Sequence, residues 1–242
     1  MTEELRLKKI HDPTDKFSTP KKKSFDLALR LLIVGKTGSG KTSGLVSLLT
    51  QKNFYLNDFK GHNIYVFSPM INDYKMEKLI KMKKIPDINV YTQFSDDSLN
   101  SIYDDLTDEF AEEQALGEKV SNKLVILDDL SFDGSLRRGN FNSVARIFMN
   151  GRKHNISCIV TAQYYAHILP SVRANASSLI LYNMNDKQLE LINDDHNFLE
   201  NKKSFKALFR ENLTETHDHI IINYSNSRKD GLYLDKNFNK LA

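Results

Sequence analysis

The chain has 242 residues, a length that suits one large α/β domain, with a net charge of +3, one cysteine and no tryptophan. A single cysteine excludes an internal disulfide framework and a cysteine-rich zinc site, and this usage predicts a reducing, intracellular compartment. No apolar run approaches the roughly 20 residues that cross a bilayer, so no membrane partner is expected, and the small basic excess does not by itself indicate a nucleic-acid ligand.

The first 24 residues lack apolar periodicity and carry three consecutive lysines at 21–23. We interpret 1–24 as a basic N-terminal arm whose lysines either contact phosphates or solubilise the tail. The organised domain is predicted over 25–225. It opens with alternating apolar residues from Phe25 that become wholly apolar at 31–34 and end at a glycine, a pattern typical of a strand that enters a buried parallel sheet. Residues 226–242 are predicted to be a C-terminal tail.

Strands and helices then alternate along the chain. The predicted strands after the first are 63–68, 87–92, 123–129, 156–162 and 178–182. The predicted helices are 43–49, 74–82, 95–117, 142–150 and 186–193. Segments 204–209 and 219–224 alternate at hairpin distance and predict a C-terminal β-hairpin. This order predicts a three-layer α/β domain with a mainly parallel central sheet.

A glycine-rich loop follows the first strand, and its sequence GKTGSGKT matches G-x-x-x-x-G-K-[ST] in full. Its glycines allow backbone N–H groups to converge on an anion, and the positive end of the next helix points to the same place. Lys41 is predicted to reach the β- and γ-phosphates of ATP, and Thr42 to bind Mg²⁺ through its hydroxyl. The predicted nucleotide-binding residues are Gly35, Lys36, Thr37, Gly38, Ser39, Gly40, Lys41 and Thr42.

Two carboxylates end the buried strand at 123–129, at the edge where open α/β sheets bind ligands. Adjacent strand residues point to opposite sides, so the two should have different roles. Asp128 is predicted to be the Mg²⁺-associated acid, acting through a bound water. Asp129 is predicted to be the base that polarises the attacking water, with a cap of the following turn as its alternative. Gln163 closes the strand at 156–162, where it either senses the γ-phosphate or is an ordinary strand-ending residue.

Five segments in fixed order carry a resemblance to a known family. GKTGSGKT, LVILDD, GRKHNIS, TAQ and LPSVRAN together resemble the FtsK–HerA superfamily of P-loop motor ATPases. They are most similar to the genome-packaging ATPases of large cytoplasmic DNA viruses of the poxvirus type and of virophages of the Sputnik kind. The specific part is GRK-x-x-IS directly before a Gln-terminated strand, followed by P-x-x-R-x-N. The resemblance covers residues 25–225.

This resemblance implies an ASCE/RecA-like P-loop NTPase fold that uses ATP and Mg²⁺ to drive double-stranded DNA into a capsid. It implies a homo-oligomeric ring, pentameric or hexameric, that contacts a capsid vertex. It further implies a location in the viral factory of the host cytoplasm and in the virion.

The resemblance also assigns roles to single residues. Asp128 matches the metal-associated acid, Asp129 the catalytic acid and Gln163 the polar sensor. An arginine from one subunit completes the neighbour's site in such rings, and Arg152 in GRK is the first candidate, with Arg173 in P-x-x-R-x-N the second. A surface or subunit-contact arginine is the alternative for each. Many superfamily members carry Asp-Glu where this chain has Asp-Asp, so the shorter carboxylate changes how water must approach.

Other function classes share the same strand–loop–helix opening. A P-loop kinase would phosphorylate a small molecule but usually needs an Arg-rich lid, and no clear lid is visible. A nucleotide-binding assembly factor would show little turnover. The basic loop at 135–140 either faces DNA, contacts a subunit or is plain surface, and Tyr164 and Tyr165 either line a pore or pack in the core. His217 and His219 have no convergent third ligand, so we interpret them as an exposed strand start.

Overall fold

The computed structural model describes residues 25–129 and 143–242. Within these ranges the strands are β1 (Arg30–Val34), β2 (Ile64–Phe67), β3 (Val90–Tyr91), β4 (Lys123–Leu127), β5 (Ile156–Ala162), β6 (Ser178–Tyr182), β7 (His219–Asn223) and β8 (Tyr233–Leu234). The helices are α1 (Lys41–Thr50), α2 (Tyr74–Lys83), α3 (Asp96–Ala115), α4 (Ser143–Asn150), α5 (Pro170–Ala174), α6 (Asp186–His196), α7 (Lys202–Asn212) and α8 (Arg228–Gly231). The predicted basic arm and the loop at 135–140 lie outside the described residues. None of the described helices has the length and apolarity of a membrane span.

The described strands form one sheet in the order β3-β2-β4-β5-β1-β6-β7-β8. Strands β1 to β6 run parallel, and β7 and β8 are antiparallel additions at one edge. Val34 at the end of β1 pairs with Ala162 of β5 and Leu181 of β6. The chain therefore leaves these three central strands at the same edge, the carboxyl edge, which is where such sheets bind ligands.

Helices cover both faces of the sheet. Leu31 and Ile33 of β1 pack in the core beneath α1 and α2, whereas Leu32 and Val34 pack in the core beneath α3 to α7. Strands β4 and β5 are buried along their whole length, which explains their uninterrupted apolar sequence. The predicted three-layer α/β fold with a mainly parallel sheet is confirmed.

The first strand begins at Arg30, so its predicted start near Phe25 is wrong. The backbone N–H of Phe25 donates to the hydroxyl of Tyr55 at 2.8 Å, and that of Leu29 donates to Ser157 Oγ at 3.0 Å. Side chains therefore bind these N–H groups before the sheet ladder begins.

The predicted strand at 87–92 is reduced to the two residues of β3. Residues Asp87–Asn89 instead form a 3₁₀ turn. The side-chain amide of Asn89 donates to the carbonyls of His62 and Ile64 at 2.9 and 3.2 Å. A side chain thus makes the contacts to the start of β2 that a longer strand would have made with its backbone.

Segment 204–209 was predicted to be a strand and lies within helix α7, so that prediction is wrong. Asn201 caps the helix, because its side-chain oxygen accepts from the N–H groups of Lys203 and Ser204 at 2.9 Å. Phe205 and Phe209 are both buried. Their spacing of four residues fits a helical face as well as a strand face, so the alternation of apolar residues in this segment does not distinguish a helix from a strand.

The C-terminal antiparallel pair is present but is made by β7 and β8. Strand β8 lies inside 226–242, the segment predicted to be a tail. Its residues Tyr233 and Leu234 are buried, as is the preceding Leu232. This part of the chain therefore contributes the edge strand of the sheet.

Candidate functional site

The phosphate-binding loop lies between β1 and α1 and needs its glycines for two separate reasons. Gly38 and Gly40 have φ angles of 78° and 109°, a left-handed conformation that glycine adopts without steric cost. Gly35 is required by close packing, since a Cβ atom there would lie 2.6 Å from Cβ of Tyr182. The end of β6 therefore presses directly on the loop.

Lys41 begins α1 and is buried. Its Nζ donates to the carbonyl of Gly35 at 2.7 Å and to that of Lys36 at 3.2 Å. Burial lowers the pKa of Lys41, and the nearby carboxylates of Asp129 and Asp128 oppose that shift. A phosphate oxygen can replace these neutral carbonyls as acceptor, because its negative charge attracts the ammonium group more strongly than a carbonyl dipole does. The placement fits the predicted role.

Two aromatic side chains that the sequence analysis does not assign to the site, Tyr182 and His217, hold the other flank of the loop. Tyr182 Oη donates to the carbonyl of Gly40 at 3.2 Å. Nδ1 of His217 lies 3.1 Å from the carbonyl oxygen of Ser39, and since a carbonyl only accepts, the ring N–H donates. His217 precedes β7, and it reaches the carboxyl edge only because β7 is antiparallel. The sequence does not reveal that β7 runs antiparallel, so it could not place His217 beside the loop.

Asp128 is buried beyond the end of β4 and is held by two hydroxyl groups. Thr161 Oγ1 donates to its Oδ1 at 2.7 Å, and Ser68 Oγ donates to its Oδ2 at 3.1 Å. Burial raises the pKa of Asp128, while the hydrogen bonds from Thr161 and Ser68 lower it. The neighbouring Asp129 raises this pKa and Lys41 lowers it. The two hydroxyls thus favour the ionised form against desolvation.

Asp129 has a left-handed backbone with a φ of 52°. Its N–H donates to Thr161 Oγ1 at 2.9 Å. Its carboxylate accepts from Nε2 of Gln163 at 3.1 and 3.0 Å. The strand alternation predicted that Asp128 and Asp129 point to opposite sides. Instead β4 ends at Leu127, the chain turns, and both carboxylates line one cavity.

This nucleotide cavity has a volume of about 300 Å³. The loop, the acidic pair and Gln163 line it together with Met70, Asp73 and Lys75, which lie before and at the start of α2. The sequence analysis does not assign these three residues to the site.

The residues present fit a Mg²⁺ ion that arrives with a nucleotide. No group of three His, Cys, Asp or Glu side chains within 25–129 and 143–242 is placed to hold a metal. Mg²⁺ is usually held by one or two carboxylates together with substrate phosphates and water, so it does not need such a group. Thr42 and Asp128 both line the cavity and offer oxygen ligands.

Neither candidate arginine lies in the nucleotide cavity of its own chain. Arg152 is exposed in the 3₁₀ turn Gly151–His154, which precedes β5. It lies near Arg30 at the start of β1. Burial is the larger cause of the lowered pKa of Arg30, and the positive charge of Arg152 is the smaller one. The length of β1 thus separates Arg152 from the loop. Arg173 forms an ion pair with Asp195 at 3.0 Å and lies over the ring of Tyr165, with 12% of its side chain exposed.

The sequence matches a known viral family over most of its length. Residues 16–234 match the family described as Poxvirus A32 protein. Uncharacterized protein 015R of Frog virus 3 (isolate Goorha) is 28% identical over 170 residues, which make up 69% of this chain and 48% of that protein. The chain thus spans about half the length of this curated relative.

Solved structures share the fold at low sequence identity. The genome packaging NTPase B204 from Sulfolobus turreted icosahedral virus 2, in complex with AMP, has a TM-score of 0.55 and 14% identity, covering 88% of this chain and 97% of that one. B204, the DNA-packaging ATPase from Sulfolobus turreted icosahedral virus, has a TM-score of 0.54 and 13% identity, with coverage of 88% and 97%. These likenesses establish the P-loop NTPase fold.

Proposed function

The chain belongs to the Poxvirus A32 protein family, and on this premise we propose that it is an ATP-driven translocase that packages double-stranded viral DNA. The single observation that carries the proposal is the pair of hydrogen bonds from Gln163 to the carboxylate of Asp129, at 3.1 and 3.0 Å. They connect the residue predicted to sense the γ-phosphate with the residue predicted to activate water. The B204 structures, described as those of a genome packaging NTPase, support this reading.

The proposed chemistry is hydrolysis of the γ-phosphate of ATP. The loop N–H groups and Lys41 bind the phosphates. Thr42 and Asp128 would hold Mg²⁺, and the bound ion would supply positive charge to the phosphate oxygens. Asp129 accepts a proton from water as the water oxygen bonds to phosphorus, and the bond from that phosphorus to the ADP oxygen breaks. The products are ADP and inorganic phosphate.

We assign the arginine that acts between subunits to Arg152. It is exposed at the amino edge of the sheet, so it can approach a phosphate only on another subunit of a homo-oligomeric ring. Arg173 is engaged by Asp195 and Tyr165 within its own chain. Such an arginine can contribute about 10³–10⁵ in rate. Ring size, capsid contact, location in the viral factory and virion, and kinship with virophage enzymes remain predictions.

A small-molecule kinase and an assembly factor with little turnover are the competing functions. Steady-state ATP hydrolysis with and without long double-stranded DNA separates them. We expect DNA-stimulated turnover in the wild type and its loss in Lys41→Ala and Asp129→Asn, while Lys52→Ala, an exposed lysine near the end of α1, retains it. Phosphate transfer only to an added small molecule would favour the kinase. Binding without turnover would favour the assembly factor.

The arginine assignment has its own test. Arg152→Ala and Asp129→Asn, each inactive alone, should recover activity when mixed, because a mixed ring contains some sites with an intact Asp129 beside an intact Arg152. Absence of recovery in mixtures shown to co-assemble would remove Arg152 from this role.

A further inference from the structure

A second cavity adjoins the nucleotide cavity on the face of the sheet that α6 covers. Its volume is about 510 Å³. Lys36 of the loop, Gln163 and Tyr164 after β5, and Asn183, Asn185 and Gln188 after β6 contribute to its lining. Gln163 and Thr37 line both cavities. A ligand in the second cavity therefore touches the residue that holds the carboxylate of Asp129.

The charge of the second cavity differs from that of the first. Three carboxylates, those of Asp73, Asp128 and Asp129, line the nucleotide cavity together with the ammonium groups of Lys41 and Lys75. None of the described residues that line the second cavity is acidic, and one is a lysine. The nearby Asp186 is not among the lining residues, and its carboxylate lies 3.7 Å from Arg210. The second cavity is therefore suited to an anion rather than to a metal.

Two of its amide side chains have their oxygens already in use. Oδ1 of Asn185 accepts from the backbone N–H of Gln188 at 3.0 Å. Oε1 of Gln188 accepts from the backbone N–H of Tyr165 at 2.9 Å. Since a side-chain amide has one oxygen and one NH₂ group, the NH₂ groups of both residues remain to donate. With the ammonium of Lys36, the cavity offers three donor groups to a ligand rich in acceptor oxygens.

Tyr164 adds a flat apolar surface beside these donors. Its side chain is 47% exposed, whereas the adjacent Tyr165 is fully buried in the core. Lys, Asn, Gln and Tyr are among the side chains that contact DNA phosphates and sugars.

We propose that this cavity binds the phosphate backbone of one strand of double-stranded DNA. The inference rests on the proposed function and specifies where DNA meets the nucleotide site. Because Gln163 belongs to both cavities, DNA binding and nucleotide state are coupled, and the coupling is reciprocal. The nucleotide's own phosphates belong to the other cavity, which contains Lys41, Thr42 and the acidic pair.

The test uses two variants that leave the nucleotide site untouched. Asn183→Asp places a carboxylate among the donors at an exposed position, and Tyr164→Ala removes the ring. Asn237→Asp makes the same charge change at an exposed position far along the chain, and Tyr74→Ala removes an exposed ring that lines neither cavity. Binding of a short fluorescent duplex is measured by anisotropy over a salt series, alongside basal and DNA-stimulated ATP hydrolysis and thermal melts.

We expect Asn183→Asp to weaken duplex binding about tenfold, because a like charge faces the phosphate, with a smaller loss for Tyr164→Ala. Basal hydrolysis and the KM for ATP should stay at wild-type values, and both controls should bind duplex normally. Duplex binding that is equal in variants and controls would overturn the inference and leave the proposed function standing. A wild type that neither binds duplex nor responds to it would overturn both. If inorganic phosphate at equal ionic strength displaces the duplex completely, the site binds free anions, and the inference fails.

Discussion

Thr161 holds both members of the acidic pair through a single hydroxyl group. Its Oγ1 donates to Asp128 at 2.7 Å and accepts from the N–H of Asp129 at 2.9 Å. The side chain is buried. Thr161→Val keeps nearly the same shape and removes both hydrogen bonds, so it tests whether the position of these two residues controls turnover.

The expected size of the effect follows from the bonds lost. A hydrogen bond to a charged group contributes about 1.5–3 kcal/mol, and each 1.4 kcal/mol or so of barrier corresponds to a factor of about ten in rate. If this loss falls on the transition state, kcat drops about 10- to 100-fold. The free energy of unfolding should also fall by about 1–3 kcal/mol, because the N–H of Asp129 loses its acceptor.

The pH dependence gives a second readout. The hydrogen bond from Thr161 lowers the pKa of Asp128 against the larger effect of burial. Removing that bond raises the pKa further, and activity needs the ionised form. The acidic limb of the pH–rate profile should therefore shift to higher pH in Thr161→Val.

The assay is ATP hydrolysis from acid to neutral pH for wild type, Thr161→Val and Thr161→Ser. The serine variant keeps the hydroxyl and should resemble the wild type in kcat and in its acidic limb. A valine variant with wild-type kcat and an unmoved acidic limb would refute the reasoning. A serine variant as impaired as valine would show that the methyl group, not the hydroxyl, matters.

Three further predictions concern stability and the loop. Asp128→Asn should raise the thermal midpoint of the nucleotide-free protein while abolishing hydrolysis. Since burial raises the pKa of Asp128, the gain should be clear at pH 8, shrink as pH falls through this raised pKa, and vanish below about pH 4, where the carboxyl is protonated in the folded and the unfolded protein alike. Gly35→Ala places a Cβ 2.6 Å from Tyr182 Cβ, so urea unfolding should show a loss of about 1–3 kcal/mol, and calorimetry a loss of nucleotide binding. The hydrogen bond from Lys236 lowers the pKa of Asp218 to about 2, so this stabilisation is present above about pH 4 and lost as pH falls towards about 2. The thermal midpoint of Lys236→Met should thus be lower than that of the wild type at pH 6 and equal to it at pH 2. A difference in midpoint that stays constant with pH would contradict this.

The sequence predicted the elements whose pattern is local. The apolar runs of β4 and β5 are buried on both faces, so each could be identified without knowledge of its neighbours. The pattern at 204–209 was ambiguous because Phe205 and Phe209 satisfy two periodicities, and the cap at Asn201 decides for the helix. The capping residue therefore identifies this segment as a helix, although the spacing of its apolar residues does not.

The site was predictable only in part, because several of its contacts join distant segments. The loop and the acidic pair are contiguous motifs. Ser68 contacts Asp128 across 60 residues and His217 contacts Ser39 across 178 residues, and no spacing rule links them. These contacts depend on the strand order and on the antiparallel direction of β7.

We propose that ATP hydrolysis moves this protein along double-stranded DNA. The most direct measurement is displacement of a third strand from a triplex placed at the end of a long duplex, followed over time. We expect ATP-dependent displacement by wild type and none by Lys41→Ala. A wild type that hydrolyses ATP on the same duplex and leaves the third strand in place would contradict it.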